Sequence, residues 1–170
     1  GYENTFIGRQ AGDSFTVGLY NVAIGHRALQ ADTTGRGTIA IGHQALYSQN
    51  FTGINTTYNI AIGQSAGYAI TTGAGNTLIG GEAGDAINTT ADYNTAVGKL
   101  AMYTNTTGSS NTAIGGRSLR LNTTGALNVA VGDDALYDNT TGSQNTAVGK
   151  SALANNTTGN SSVAVGQDSL

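Results

Sequence analysis

Few residues in this chain are of types that do chemistry, and most of them fall into columns. The pentapeptide Gly63-Gln64-Ser65-Ala66-Gly67 matches the Gly-x-Ser-x-Gly pattern of a nucleophile elbow. An elbow needs a strand-to-helix turn, with a histidine and an acid brought against the serine. Ser65 instead occupies a position that holds Gln44, Glu82 and Arg117 in corresponding stretches, which reads as variable surface. His26 and His43 lie 17 residues apart in equivalent positions. Stacked on neighbouring rungs of a sheet, their rings would stand roughly 5 Å apart. The chain has no cysteine, and no column of carboxylates accompanies the histidines, so no metal site is assigned. Asp133-Asp134 beside Lys150 reads as a mixed surface ladder. There is no phosphate-binding loop. The chain is read as a non-enzyme without a cofactor.

Two further sets of residues suit recognition rather than catalysis. Tyr47, Tyr68, Tyr103 and Tyr137 each stand five residues after a recurring glycine, and Tyr20, Tyr58 and Tyr93 stand five before one. Such rings either cover the edges of a sheet or form a stacking stripe for sugar faces. The first four, together with Phe51, are the candidate ligand contacts. Asn-x-Ser/Thr sequons recur at Asn50, Asn55, Asn88, Asn105, Asn122, Asn139, Asn155, Asn156 and Asn160. Asparagine, threonine and glycine are also what a tight turn requires. If the turns are exposed, Asn105, Asn122, Asn139 and Asn156 are the candidate glycan attachment points.

What positions these columns is a tandem repeat. The unit reads Asn-Thr-Ala-Val-Gly, two variable residues, Ala-Leu, a polar stretch and Asn-Thr-Thr-Gly. Its first glycine falls at 8, 25, 42, 63, 80, 98, 115, 132, 149 and 166, and seven of the nine intervals are 17 residues. The residue before that glycine is always Ile or Val. The residue two before it is Ala in eight units, with Phe6 and Leu78 as the exceptions. Seventeen residues suit one coil of a β-solenoid: too few for a helix pair or a propeller blade. The spacing predicts an all-β parallel β-roll of about ten coils over residues 1–170, one repeat domain. Asn94–Val97 is expected as one strand and Lys99–Tyr103 as a second. The 21-residue interval predicts a loop insertion over 51–58, with the register resuming at Asn59.

Alternation places Thr95 and Val97 on one side of the first strand and Asn94, Ala96 and Gly98 on the other. Both sides carry apolar residues, so the strand calls for two packing partners. One is the rest of its own coil. The other is most simply another chain. The first assignment puts the Ala column at the contact between chains and Val/Ile inside each roll; the reverse facing stays open. Neither end carries an atypical capping unit, so the stretch is expected to be a segment of a longer fibre.

Composition excludes other classes. Charged residues are 10% and net charge is −3, which leaves no basic surface for nucleic acid. The aliphatic runs are too short for a membrane-spanning helix.

Asn21-Val22-Ala23-Ile24-Gly25 and Ser162-Val163-Ala164-Val165-Gly166 resemble the head repeats of YadA-like trimeric autotransporter adhesins. The longer Asn-Thr-Ala-Val-Gly…Ala-Leu…Asn-Thr-Thr-Gly form also resembles repeats of phage tail fibres and bacterial surface fibres. The resemblance implies a left-handed β-roll, a trimer, neighbouring fibre segments, and a glycan or protein receptor on a surface. It also implies an extracellular place, on a cell surface or a virion tail fibre. The chain is accordingly read as a structural and adhesive fibre segment with many weak binding positions. Two alternatives accompany it. A glycosylated surface filament would use the sequons. An ice- or water-ordering solenoid would use the threonines at 77, 95, 112 and 146, a column interrupted by Ile60 and Val129.

Overall fold

The computed structural model describes residues 3–53, 56–87 and 90–170. It is a parallel β-solenoid. Ten three-residue strands, from Thr5–Ile7 (β1) to Val163–Val165 (β10), form one sheet whose spatial order is the chain order. Every pair is parallel and in the register of the repeat: Thr95 pairs with Thr112, Ala96 with Ala113 and Val97 with Ile114. At ~4.8 Å per strand the stack is roughly 43 Å long.

The register survives both irregular intervals. Ala40 pairs with Ala61 across the long one, and Leu78 with Ala96 across the coil with one extra residue. Thr34 Oγ1 donates to the Phe51 carbonyl 17 residues on, at 2.8 Å, whereas Arg36 bridges to Thr56, 20 residues on. The insertion therefore begins after Phe51. Ile54 and Asn55 of the expected 51–58 loop lie outside the described residues.

The expected second strand is not a strand. Leu100 and Met102 have φ of 60° and 54°, and the equivalent positions of the other coils are likewise positive. The amides of these left-handed residues leave the coil along the stack. Arg117 N–H donates to the Lys99 carbonyl of the preceding coil, and Leu119 N–H to the Ala135 carbonyl of the following one. Backbone groups are satisfied between coils without β geometry. Holding a leucine left-handed costs about 1–2 kcal/mol. Burying its side chain returns roughly 1.5–3 kcal/mol. Leu29, Leu46, Leu119 and Leu136 are all fully buried, so burial wins.

The facing of the first strand is the reverse of the first assignment. Ala96 and its column mates from Ala23 to Ala147 lie fully buried inside the coil. The Val/Ile column points outward, with Ile62, Ile79, Ile114 and Val148 between 36% and 42% exposed. The reason is volume. A 17-residue coil is narrow, and the inward leucine of the far side already fills it. Where the strand carries a large inward residue, the leucine is absent. Phe6 lies over Gly12, and Leu78 lies between Gly67 and Gly84. Ile70 and Ile87 fill what remains.

A polar column completes the interior. Asn111 N–H donates to Asn94 Oδ1 at 3.0 Å, and Asn111 Nδ2 donates to the same oxygen at 3.3 Å and to the Gly125 carbonyl at 2.9 Å. Asn128 repeats the pattern on Asn111 and Gly142. Each amide thus ties its coil to the one before and to the turn on its own far side. At Thr38 the ladder lacks an amide, and Gln49 supplies one. It donates to Thr38 Oγ1 at 3.0 Å and accepts from Asn59 Nδ2 at 2.8 Å.

The repeat glycine permits the coils to stack this closely. Gly80 has φ 136°, and a Cβ there would stand 2.5 Å from the Gly98 carbonyl oxygen. Its neighbour Gly81 faces open space and has no positive φ. Gly80→Ala is expected to destabilise by at least ~3 kcal/mol, from strain plus the backbone clash. Gly81→Ala should change stability by no more than about 0.5–1 kcal/mol. Melting curves of the two variants followed by circular dichroism test the contrast, and equal losses would contradict the stacking assigned to Gly80.

Candidate functional site

The column five residues after each glycine emerges as a ladder on the outside of the turn segment. Tyr47 and Tyr68 stack face to face, with ring centroids 5.0 Å apart and planes 3° apart. Further along, Arg120 stands between two tyrosines, 5.8 Å from the Tyr103 ring centre and 5.6 Å from that of Tyr137. Its Nη1 also donates to the Tyr137 hydroxyl. All four rings are half-buried, because each rests on its neighbours in the stack. Sandwiching a guanidinium between rings is favourable through their quadrupoles, by about 0.5–1 kcal/mol per contact at exposed sites.

Asp85 occupies the rung between Tyr68 and Tyr103. Its carboxyl is pushed above the usual carboxylate range, first by burial and then by the negative Glu82. Arg120 and Asp85 belong to this surface although a search confined to tyrosines passes over them. Counting every residue five after the glycine finds both.

The other tyrosine column behaves differently. Tyr20, Tyr58 and Tyr93 have positive φ and are among the most exposed apolar residues, at 61%, 66% and 70%. Tyr58 and Tyr93 lie beside Gly37 and Gly75, where the same column is empty of a side chain.

Phe51 does not join either stripe. It is only 8% exposed, held inward where the insertion begins, so it offers no face to a ligand. The sequon asparagines are also not the exposed tips expected of them. Asn105, Asn122 and Asn139 are fully buried. Asn122 Nδ2 donates to Asn105 Oδ1 at 2.8 Å and to the Gly125 carbonyl at 2.9 Å, and Asn139 repeats this one coil on. The nitrogen that would carry a glycan is the one that closes the turn. Asn156 makes the same two bonds but is half-buried. Asn50, Asn155 and Asn160 are exposed, while Asn55 and Asn88 lie outside the described residues.

His26 and His43 stack with centroids 5.3 Å apart. His26 titrates below its ordinary range, through burial and then the positive Arg27, His43 and Arg9. Among the described residues no three His, Asp or Glu side chains are grouped to hold a metal ion. Ser65 sits in a turn at φ 53°, with its N–H on the His43 carbonyl, rather than at a strand-to-helix elbow. The acidic pair of the mixed ladder meets Arg117 rather than Lys150: Arg117 Nη2 lies 2.6 Å from Asp134 and 3.8 Å from Asp133. An exposed ion pair of this kind contributes about 0–1 kcal/mol.

The outward face of the sheet runs the length of the stack. Its two columns read Val/Ile at the strand end and Thr, Val or Ile at the strand start. None of the described helices is long and apolar enough to cross a membrane, since the described chain forms strands and turns. Comparison with known proteins returns no match, whether to family models, to curated proteins or to solved structures.

The Asp85 environment makes a pH-dependent prediction. A folded-state pKa raised above 3.8 means that the charged form costs the fold stability at neutral pH. That cost is relieved as pH falls through the raised value. Asp85→Asn is therefore expected to raise the melting temperature modestly at pH 7, with the gain vanishing below the unfolded-state value. Melting temperatures of both proteins between pH 7 and pH 3 test this, and a gain that grows towards low pH would contradict it.

Proposed function

We propose that this chain is a shaft segment of a homotrimeric fibre, displayed on a cell surface or a virion tail, which attaches through many weak contacts repeated along its length. The observation that carries the reading is the outward Val/Ile column. It runs through all ten strands in one register, and in a single chain it stays partly open to water. An apolar stripe along a whole sheet is characteristic of an interaction surface. Because every coil repeats the stripe, a copy that fits one coil in parallel register fits all of them. Three copies around an axis would bury the sheets and leave the tyrosine ladders outside.

The surface that remains supports attachment by avidity. Each coil offers the same few outward positions, so a convergent pocket cannot recur, whereas a weak contact can. Linking many weak contacts raises affinity by 10²–10⁴ without any strong single site. The receptor class that fits is a surface glycan or protein presenting repeated epitopes, with the tyrosine and arginine rungs as the contacts.

A second reading uses the same face. Thr77, Thr95 and Thr112 lie in consecutive register on it, as a water-ordering array would. Thermal hysteresis of the native protein tests that reading directly.

For the fibre reading, labelled native protein is to be applied to a printed array of oligosaccharides and matrix proteins, beside the triple variant Val97→Asp, Ile114→Asp, Val131→Asp. The charges lie outward, so single coils still close, while copies can no longer pack. Binding to a subset of spots, with apparent affinity at least tenfold weaker in the variant, is expected. Binding to no spot, or binding that the variant leaves undiminished, would overturn the reading.

A further inference from the structure

One rung of the outer ladder carries only a methyl group. Tyr103, Arg120 and Tyr137 hold three consecutive rungs, and the next rung holds Ala154. The coils are in register there, since Asp138 N–H donates to the Ala154 carbonyl at 2.9 Å. One face of the Tyr137 ring is covered by Arg120 from the preceding coil. On the side of the following coil only a methyl group stands where other coils place a ring. A depression of about 230 Å³ opens at that point, with Tyr137, Ala154 and Ser151 among its walls and Asp134, Asp138 and Asn155 around them.

We infer that this rung is a subsite for one neutral pyranose ring of a surface glycan, stacked on Tyr137 and hydrogen-bonded through its hydroxyls to Asp134 and Asp138. Three observations point to that chemistry. The volume lies below the ~300–1,000 Å³ typical of drug-sized ligands, so the site takes one ring of a longer molecule. The aromatic wall suits the apolar C–H face of a sugar. The polar groups are mostly acceptors: Asp134 Oδ2 receives Arg117 at 2.6 Å, and the half-buried Asp138 carboxylate lines the same depression. Sugar hydroxyls are donors that suit such a lining. The two carboxylates disfavour an anionic sugar or a phosphate. The assignment rests on the reading of the chain as a fibre that attaches to surface glycans.

The test fills the gap. Ala154→Tyr extends a column that already carries tyrosine in four coils, so the variant is expected to fold as the native protein does. Saturation-transfer NMR is to be run on the native full chain and on the variant. The probes are methyl glycosides of glucose, galactose and mannose, with the methyl glycoside of sialic acid and lysine methyl ester for comparison. Saturation of ring C–H protons of at least one neutral glycoside, weakened tenfold or more by Ala154→Tyr and also by Asp134→Asn, is the expected result. No saturation of any neutral glycoside would overturn the inference. So would equal saturation in the Ala154→Tyr variant, or a preference for the sialoside or the lysine ester. The two readings fail separately. Array binding by a native protein that shows no glycoside saturation removes this subsite and leaves the adhesive fibre. Glycoside binding here by a protein that binds no array spot leaves the subsite and removes the multivalent fibre.

Discussion

The interior asparagine ladder is the interaction on which the rest of the molecule depends. One amide per coil spends its whole hydrogen-bonding capacity on two tasks at once. Its oxygen receives the next coil, and its nitrogen holds the carbonyl of the turn across its own coil, as in Asn94, Asn111 and Asn128. A slip of one residue would bury these groups unpaired, at about 1–3 kcal/mol for each. Hydrophobic contacts between alanines could not enforce that register, because one alanine packs against another with little directional preference. The polar ladder sets the 17-residue period, and the repeat glycine lets the backbones meet at the distance the ladder requires.

A fixed register makes the interior a column of constant cross-section. Alanine plus leucine fills it in most coils. Leu78 with Gly67 and Gly84, or Phe6 with Gly12, fills it in the others. The polar face obeys the same rule: Gln49 restores the connection where Thr38 replaces the amide. These exchanges occur between neighbouring coils of one chain, so each departure from the repeat is answered nearby. With the column filled in this way, the Val and Ile at the end of each strand are turned outward. The apolar stripe on the outer face is thus a consequence of how the inside is filled.

Much of this was legible in the sequence. The glycine intervals implied the ten strands and their register, which close about nine turns where about ten coils were expected, and the register rides over the long interval as the resumption at Asn59 implied. Facing was not legible from alternation alone, because a period of two states which residues share a side but not which side is inner. The pairing of Gly12 with Phe6, and of Gly67 and Gly84 with Leu78, carried that information. Leu100 and Met102, at alternate positions of 99–103, imitate a strand, yet both have positive φ, and burial of the Met102 side chain offsets its backbone cost. The turn asparagines were misplaced for a related reason. Asn-Thr-Thr-Gly is written like an exposed turn, but the amide folds back onto its own glycine carbonyl. For the site, the tyrosine column was legible, whereas Asp85, Arg120 and the gap at Ala154 appear only when the column is read rung by rung.

The account joins a complete interior to an incomplete exterior. A single chain satisfies its asparagines and its alanines but leaves an outward Val/Ile column ten strands long partly open to water. Association with copies of itself is the simplest way to cover a stripe that repeats in every coil. Sedimentation equilibrium of the native protein across micromolar concentrations measures this most directly. The account predicts a mass three times the 17.1 kDa of the chain. A soluble species of single-chain mass over that whole range would contradict it.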